Sequence, residues 1–552
     1  MSNTDTSFEP KSVNDYFVGI TQNPHPSANQ KGVSGNEDPV RKYVVEQAKM
    51  IPGVEVVFYK EAATEPGERV IVLRRPGSGE YAQKKPVILQ AHLDMVYNPV
   101  DMQFPLNIIT NEAYKDGKWI KAKDQTGRDS TLGADDGIGV ATALAILKDE
   151  SLKDLPIECL FTVQEETDMG GAQNCDLNNL EGETLLNLDA EDLKVIIYGS
   201  AGGAETDYTS AITRFDLPAG YTSIKAYISG LRGGHSGVDI NKGHLNAIKA
   251  LNQVLTRLNK RINNLDVTGS ISSYDMYLYD FERTDIIKAN AIPTGAKAMV
   301  AVPKDQADSF ITDFKKYCEA LKQQYQPIES GFTCDAIEIN VDAKPLDDKS
   351  TDAILCIISQ IPSGVISMIP EVPDVVETSS NLYNVEIKTI IETEIKTDLE
   401  TKTETKIETQ TECVAIASSN RSSNDSALSA LSEAQSNIGK IFNFNVITGI
   451  NSYVSWQPDN ASHVFNIAKD VYFEQYNEEM KTTVIHAGLE CGTLASRFMA
   501  EKQVKLDCVS IGPTIKNPHT GNETLQIESE DGKQTVGQFY DCAREIARRL
   551  YE

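Results

Sequence analysis

Short apolar runs and amphipathic helical patterns alternate through the first 200 residues of the chain. The pattern predicts helices over 38–50 and Val140–Leu147, strands between Val54 and Leu89, and further strands near Leu160 and Leu186. The stretch Leu132–Gly139 places Asp135 and Asp136 between glycines, which is typical of a tight turn that opens a helix. Alternating strands and helices indicate an α/β fold, with a mixed, largely parallel sheet flanked by helices.

The pattern changes after Ser200–Gly203, where period-two strands and amphipathic helices replace the buried strands. Residues 245–262 carry apolar side chains along one helical face, which predicts a helix in a second, α+β domain. The first pattern returns near residue 458, with a helix expected over Ala461–Tyr476, a buried strand over Val504–Ile511 and a helix over Thr535–Leu550. We therefore expect one domain formed by residues 1–203 and 458–552, with residues 204–457 inserted as a second domain.

Residues 386–412 form a low-complexity segment in which Thr, Glu, Lys and Ile recur with partial alternation. One interpretation is a long, twisted hairpin, because Thr and Ile favour strands. The other is a disordered insert, because charge is dense and aromatic residues are absent. The sustained alternation favours the hairpin, and rapid cutting under gentle proteolysis would exclude it.

Length, charge and cysteine content limit the classes of protein to which the chain can belong. A chain of 552 residues suggests about two to four domains. Its net charge of −28 argues against nucleic-acid binding, which needs a basic surface. Nine scattered cysteines without a CxxC pair indicate reduced thiols, and neither a signal peptide nor a transmembrane run is recognisable. We expect a soluble, cytoplasmic protein that binds neither nucleic acid nor membrane.

Potential metal ligands stand at the ends of short apolar segments or turns: His92, Asp135, Glu166, Asp189 and His519. The carboxyl ends of strands are where open α/β sheets place their sites. Taken singly, each of these residues is explained by a core histidine, a helix cap or a solvated charge. Their recurrence in one predicted domain is what indicates a metal centre.

Two imidazoles and three carboxylates suit a pair of divalent ions, since a bridging carboxylate can hold two ions about 3.5–4 Å apart. Zinc is the default ion, with cobalt or manganese as alternatives for oxygen-rich ligands. Asp94 shares a strand face with His92 and is placed to orient it. Glu165 and Glu166 would point oppositely in a regular strand, so the backbone must turn there if one ligates and the other accepts a proton.

The order of these motifs along the chain resembles the co-catalytic dizinc exopeptidase family, which includes carboxypeptidase G. The matching residues are His92-Leu93-Asp94, Gly133–Gly137, Glu165-Glu166, Asp189-Ala190-Glu191 and Pro518-His519. Further stretches are similar to the aminoacyl-histidine dipeptidases (peptidase D) of that family: Ser200–Gly203, Gly234–Gly237, Asn290–Pro293, Glu377–Leu382 and His486–Gly492. The resemblance spans residues 12 to 550, and its motifs together are highly specific.

The resemblance implies roles for individual residues. His92 and Asp189 would hold one zinc ion, Glu166 and His519 the other, and Asp135 would bridge them through a cis Asp135–Asp136 peptide. Asp94 would orient His92, Glu165 would be the general base, and His235 in the inserted lid domain would stabilise the oxyanion. The implied substrate contacts are His486, Glu490, Asn290 and Arg421.

The implied function is that of a cytoplasmic dizinc dipeptidase that cleaves Xaa-His and other dipeptides, with Glu165 deprotonating the attacking water. A homodimer is also implied, because the partner subunit supplies the lid histidine in many relatives; whether His235 acts in its own subunit stays open. The alternatives are an N-acyl-amino-acid amidohydrolase of the same family and a catalytically inactive scaffold relative. Departures before Asn290 and after His519 leave the preferred dipeptide open.

Overall fold

The computed structural model describes residues 6–27, 36–262, 273–370, 374–397 and 404–552. The chain divides into two compact units, Met1–Ser200 with Val454–Glu552, and Ala201–Tyr453. The helices are α1 Lys11–Thr21, α2 Asp38–Lys49, α3 Pro66–Arg69, α4 Ala134–Lys148, α5 Gly170–Asn174, α6 Ala247–Leu258, α7 Ala307–Tyr325, α8 Asp348–Gln360, α9 Asp425–Ile441, α10 His463–Tyr476, α11 Glu490–Arg497 and α12 Thr535–Arg549. Among the residues described, no helix has the length and apolar character needed to cross a bilayer.

The strands are β1 Glu55–Phe58, β2 Ile71–Arg75, β3 Val87–His92, β4 Asn107–Thr110, β5 Gly117–Lys123, β6 Asp129–Ser130, β7 Ile157–Thr162, β8 Thr184–Asn187, β9 Val195–Ser200, β10 Gly202–Ala211, β11 Tyr221–Ser229, β12 Tyr277–Arg283, β13 Ala296–Pro303, β14 Thr333–Ile339, β15 Gly364–Met368, β16 Val376–Thr397, β17 Glu404–Ser422, β18 Asn445–Tyr453, β19 Lys481–Ile485, β20 Asp507–Ser510, β21 Ile515–Lys516 and β22 Thr524–Ser529.

The main sheet of the first unit has the strand order β1-β2-β7-β3-β8-β20-β9-β19. Its centre is parallel: β3 pairs with β7 and β8, and β8 pairs with β20. At one edge, β1, β2 and β7 pair antiparallel. The predicted mixed, largely parallel sheet is therefore confirmed, and the carboxyl ends of its central strands lie along one edge.

Alternate side chains of the central strands enter two separate apolar cores. Val87 and Leu89 of β3 join the core that contains Leu144 of α4. Ile88 points to the opposite face and joins the core that contains Leu494 of α11. This alternation follows from the two-residue period of a strand, and it explains why helices cover both faces of the sheet.

A small antiparallel sheet in the first unit was not foreseen from the sequence. Its strand order is β21-β22-β5-β4, with β6 also paired to β5. The connection between β21 and β22 carries His519 and Glu523. This sheet therefore fixes the two ends of a loop that matters for the candidate site.

The second unit consists of two antiparallel sheets and the helices α6 to α9. The sheets have the strand orders β15-β16-β17-β10-β18 and β12-β13-β11-β14. Helix α6 begins after Asn246, whose side chain accepts the backbone N–H of Lys249, so the helix is shorter than the predicted 245–262. Its apolar face packs into one core with both sheets.

The low-complexity segment 386–412 forms part of a hairpin. Strands β16 and β17 pair antiparallel from Thr378 opposite Ser422 to Thr397 opposite Glu404. Residues 398–403 of the segment lie outside the described residues. For the part that is described, the hairpin interpretation is confirmed over the disordered one.

Candidate metal centre

His92 is the last residue of β3, and it is 1% exposed. Its Nδ1 lies 2.9 Å from the carbonyl oxygen of Asp94, and its Nε2 lies 2.9 Å from Oδ1 of Asp135. A carbonyl oxygen only accepts, so the proton of the neutral ring belongs on Nδ1. The lone pair of Nε2 is then available for a metal ion.

Asp94 joins the end of β3 to the segment that follows β7. Its Oδ1 accepts the backbone N–H of Glu165 at 3.1 Å, and its Oδ2 accepts that of Glu166 at 3.4 Å. Oδ1 also lies 3.6 Å from Nδ1 of His92. Asp94 thus positions the imidazole through its carbonyl oxygen and both glutamates through its carboxylate, as expected of a residue that orients metal ligands.

Asp135 lies in the first turn of α4, where the backbone is irregular. Gly133 before it has a left-handed conformation (φ 71°), and neither Asp135 nor Asp136 has helical angles. The peptide between the two acids is cis, as the resemblance implied. Asp136 accepts the backbone N–H groups of His92 at 3.3 Å and Gly139 at 3.1 Å, so it caps the helix and leaves Asp135 to face the imidazoles.

The chain turns sharply between β7 and Glu165, as the sequence predicted. Gln164 has a φ of 61°, and its carbonyl accepts the N–H groups of the next turn. The turn brings Oε2 of Glu166 to 2.8 Å from Nε2 of His519. Glu165 stays partly exposed beside it.

Asp189 and His519 complete the cluster from two further segments. Asp189 follows β8, and its Oδ1 lies 3.4 Å from Nε2 of His92. His519 follows β21 in a left-handed conformation (φ 59°), with its side chain 33% exposed. Its Nε2 lies 3.1 Å from Oδ2 of Asp135. The two imidazoles therefore face opposite oxygens of one carboxylate.

The residues present fit a pair of divalent ions. Potential ligand atoms of His92, Asp135 and Glu166 lie within 4.8 Å of one another, and so do those of His92, Asp136 and Asp189. Imidazole nitrogen with carboxylate oxygen is a donor set that zinc, cobalt and manganese accept. Because the carboxylate of Asp136 already accepts backbone N–H groups, Asp135 is the better candidate for a shared ligand.

The electrostatics of the cluster also favour the binding of cations. Burial would lower the pKa of His92, but the carboxylates of Asp189, Asp135 and Asp94 raise it well above its usual range. Burial raises the pKa of Asp189 to about 7 despite the nearby His92. Crowded carboxylates in a buried site repel one another, and bound dications relieve that repulsion.

Glu523 was not recognised from the sequence as part of the site. It is fully buried, and its carboxylate accepts the backbone N–H groups of Leu132, Gly133, Ala134 and Asp135 at 2.8 to 3.2 Å. No local pattern distinguishes this glutamate from a solvated one. Its position four residues after His519 was the only available signal.

Three predicted site residues lie in the second unit: His235, Asn290 and Arg421. Nδ1 of His235 accepts the backbone N–H groups of Gly237 and Val238, which places the proton of the neutral ring on Nε2. The carbonyl of Asn290 accepts the N–H of Ser236, so Asn290 lies beside the His235 loop. Nη1 of Arg421 donates to the hydroxyl of Tyr453 at 2.7 Å.

The last two predicted substrate contacts, His486 and Glu490, lie in the first unit and are buried. Oε2 of Glu490 accepts hydrogen bonds from Nε2 of Gln90 at 2.6 Å and from the hydroxyl of Thr162 at 2.5 Å. Gln90 and Thr162 belong to β3 and β7, so Glu490 bonds to the sheet itself. Burial raises the pKa of Glu490 to about 8.

The chain is similar to several known peptidases. A family model described as a peptidase dimerisation domain matches residues 228–326. The chain is 32% identical over 555 residues to the cytosol non-specific dipeptidase of Escherichia coli strain K12, covering 99% of both chains. The crystal structure of aminoacylhistidine dipeptidase from Vibrio alginolyticus matches with a TM-score of 0.71 and 30% identity, over 99% of this chain and 97% of that one. A tripeptidase from Staphylococcus aureus shares the fold at a TM-score of 0.51 and 13% identity, over 98% and 99% of the two chains.

Proposed function

Because the chain belongs to the M20 family of peptidases, which hydrolyse peptide bonds, we propose that it is a metal-dependent dipeptidase. One observation carries the proposal. Nε2 of His92 and Nε2 of His519 approach the two different oxygens of Asp135, at 2.9 and 3.1 Å. A carboxylate between two imidazoles, with Asp189 beside one and Glu166 beside the other, is an arrangement that can hold a pair of divalent ions.

We assign His92 and Asp189 to one ion, Glu166 and His519 to the other, and Asp135 to both. Zinc is the ion we expect, with cobalt or manganese as alternatives. Bound there, the ions would act as Lewis acids on the peptide carbonyl and on the attacking water. The fixed Nδ1–H bond from His92 to the carbonyl of Asp94 keeps the metal-facing nitrogen in place.

Glu165 is the proposed general base. It lies next to Glu166, and its backbone N–H is held by the carboxylate of Asp94. In the forward step its carboxylate accepts a proton from the attacking water. It then returns that proton to the nitrogen of the leaving amine as the peptide C–N bond breaks.

His235 is the proposed oxyanion donor. The hydrogen bonds that Nδ1 accepts from Gly237 and Val238 favour the ring form with a proton on Nε2. An Nε2–H group can donate to the carbonyl oxygen as negative charge develops there. The family match over 228–326, a peptidase dimerisation domain, supports a homodimer, and either subunit could supply this donor.

The substrates we propose are dipeptides, Xaa-His among them. The names of the Escherichia coli and Vibrio relatives support both a broad dipeptidase and one acting on aminoacylhistidines. We expect the enzyme in the cytosol, as the name of the Escherichia coli protein states for that relative. His486, Glu490, Asn290 and Arg421 remain the proposed substrate contacts.

A substrate panel tests the proposal. Protein reconstituted with Zn²⁺, and with its metal content measured, is given Xaa-His dipeptides, other dipeptides, tripeptides and N-acetyl amino acids. We expect dipeptides with a free amino group to be cleaved fastest. Cleavage restricted to N-acetyl amino acids would indicate an amidohydrolase instead. Metal-loaded protein that cleaves none of them would indicate a binding or scaffold protein.

A further inference from the structure

We infer that Glu523 is a positioning residue, which fixes the loop Leu132–Asp135 and thereby holds Asp135 between the two imidazoles. The inference rests on the proposed function, because it concerns the carboxylate assigned to both ions. Each oxygen of Glu523 accepts two backbone N–H groups. Oε2 accepts those of Leu132 and Gly133 at 2.9 and 3.0 Å, and Oε1 accepts those of Ala134 and Asp135 at 2.8 and 3.2 Å.

This arrangement leaves Glu523 no role as a metal ligand. A carboxylate has about four acceptor positions, and four N–H groups occupy them here. The residue is fully buried, so water cannot replace it as an acceptor without a change in packing. Successive N–H groups that converge on one anion form a concave cradle, and the anion in turn dictates the backbone angles of the cradle.

The chain path links Glu523 to the other side of the centre. Glu523 lies four residues after His519, in the connection between β21 and β22, and its own N–H donates to the carbonyl of Thr520. In that connection, the imidazole of His519 therefore contacts Oδ2 of Asp135, and the carboxylate of Glu523 accepts the backbone N–H of Asp135. Asn98 adds a further tie, since its side chain donates to the carbonyl of His519 and its carbonyl accepts the N–H of Thr131.

Two substitutions separate positioning from mere stability. Glu523→Gln keeps the size of the side chain but replaces one acceptor oxygen with an NH₂ donor, which opposes two of the four N–H groups. Glu523→Asp keeps the charge but retracts the carboxylate by one methylene. The control is Glu530→Gln, which removes the same charge from an exposed position seven residues later in the chain.

The measurement is titration of the metal-free full chain with Mn²⁺, followed by electron paramagnetic resonance of the loaded protein. We expect Glu523→Gln to bind Mn²⁺ about 10- to 100-fold more weakly than the wild type. We also expect its spectrum to show separate Mn²⁺ ions instead of the exchange-coupled pair expected for the wild type. The reason is that Asp135 would no longer lie between the two ions. Glu530→Gln should match the wild type in both respects.

Each outcome decides the matter. If Glu523→Gln keeps the wild-type Mn²⁺ affinity and the coupled signal, the inference is overturned. Glu523 would then have only a structural role, even if the variant had a lower melting temperature. If Glu523→Gln does not fold, the Mn²⁺ affinity and the coupled signal of Glu523→Asp are compared with those of the wild type instead. A wild-type protein that binds no Mn²⁺ and no Zn²⁺ would instead refute the proposed function, which is a distinguishable result.

Discussion

Replacement of Glu165 by Gln is the most direct test of the proposed chemistry. Gln has nearly the same shape but cannot accept a proton from water at neutral pH. The bond that ties this residue to Asp94 uses the backbone N–H, so the substitution preserves it. Glu165 is also absent from the proposed ligand set, so both metal ions should remain bound.

The expected loss is that of general base catalysis, which contributes about 10²- to 10⁴-fold to a rate. Converted at about 1.4 kcal/mol per tenfold, this raises the activation barrier by about 3 to 5.6 kcal/mol. Burial, together with the negative charges of Asp189 and Glu166, raises the pKa of Glu165 above its usual range. A carboxylate made more basic in this way accepts a proton from water more readily, and this is the property that Gln lacks.

The assay is the initial rate of dipeptide hydrolysis, measured alongside the metal content of the same preparation. The matched control is Glu80→Gln, an exposed glutamate of the same unit. A Glu165→Gln enzyme that keeps more than about a tenth of the wild-type kcat would refute the assignment of the base. Loss of metal together with activity would instead make Glu165 a ligand.

Three further predictions concern the ligands, the His235 loop and the core. His92→Ala should retain at most one of the two ions, which elemental analysis measures; unchanged metal content would contradict its assignment as a ligand. Glu329 is 1% exposed and accepts the N–H groups of Arg232 and Leu245, on either side of His235. Glu329→Gln should therefore lower kcat by up to about 100-fold through misplacement of His235 while metal content stays the same. Leu186→Ala, at a fully buried position of β8, should lower the free energy of unfolding by about 2 to 5 kcal/mol in urea denaturation, and a loss below about 1 kcal/mol would contradict the described packing.

Much of the fold could be predicted because its signals are local. The apolar spacing over 38–50 corresponds to α2, and the run Val504–Ile511 contains β20. Strand order could not be predicted from local signals, because β20 pairs with β8 although more than 300 residues separate them in the sequence. The small sheet around β5 was missed for the same reason, because β4 to β6 lie within residues 107–130 whereas β21 and β22 lie within residues 515–529.

The candidate ligands could be predicted because each lies in a short motif with its own signature. His92 ends an apolar strand, Asp135 follows a left-handed glycine, and Glu166 follows a sharp turn. The structure brings these residues together with Asp189 and His519, and their roles as ligands remain a proposal. Glu490 shows the limit of this reasoning, since no pattern foretold that its carboxylate bonds to Gln90 and Thr162 of the sheet.

Buried glutamates are a further feature that the sequence concealed. Glu158, Glu329 and Glu523 are each at most 1% exposed, and each accepts backbone N–H groups from a loop distant in sequence. In a sequence they cannot be distinguished from solvated charge, because what they bind is main chain, which carries no residue-specific signal. A buried loop must satisfy its N–H groups, and a carboxylate can satisfy several at once. Where such a loop carries a residue with a proposed function, as with Asp135 and His235, the acid that holds the loop contributes to that function without being assigned a contact to substrate or metal.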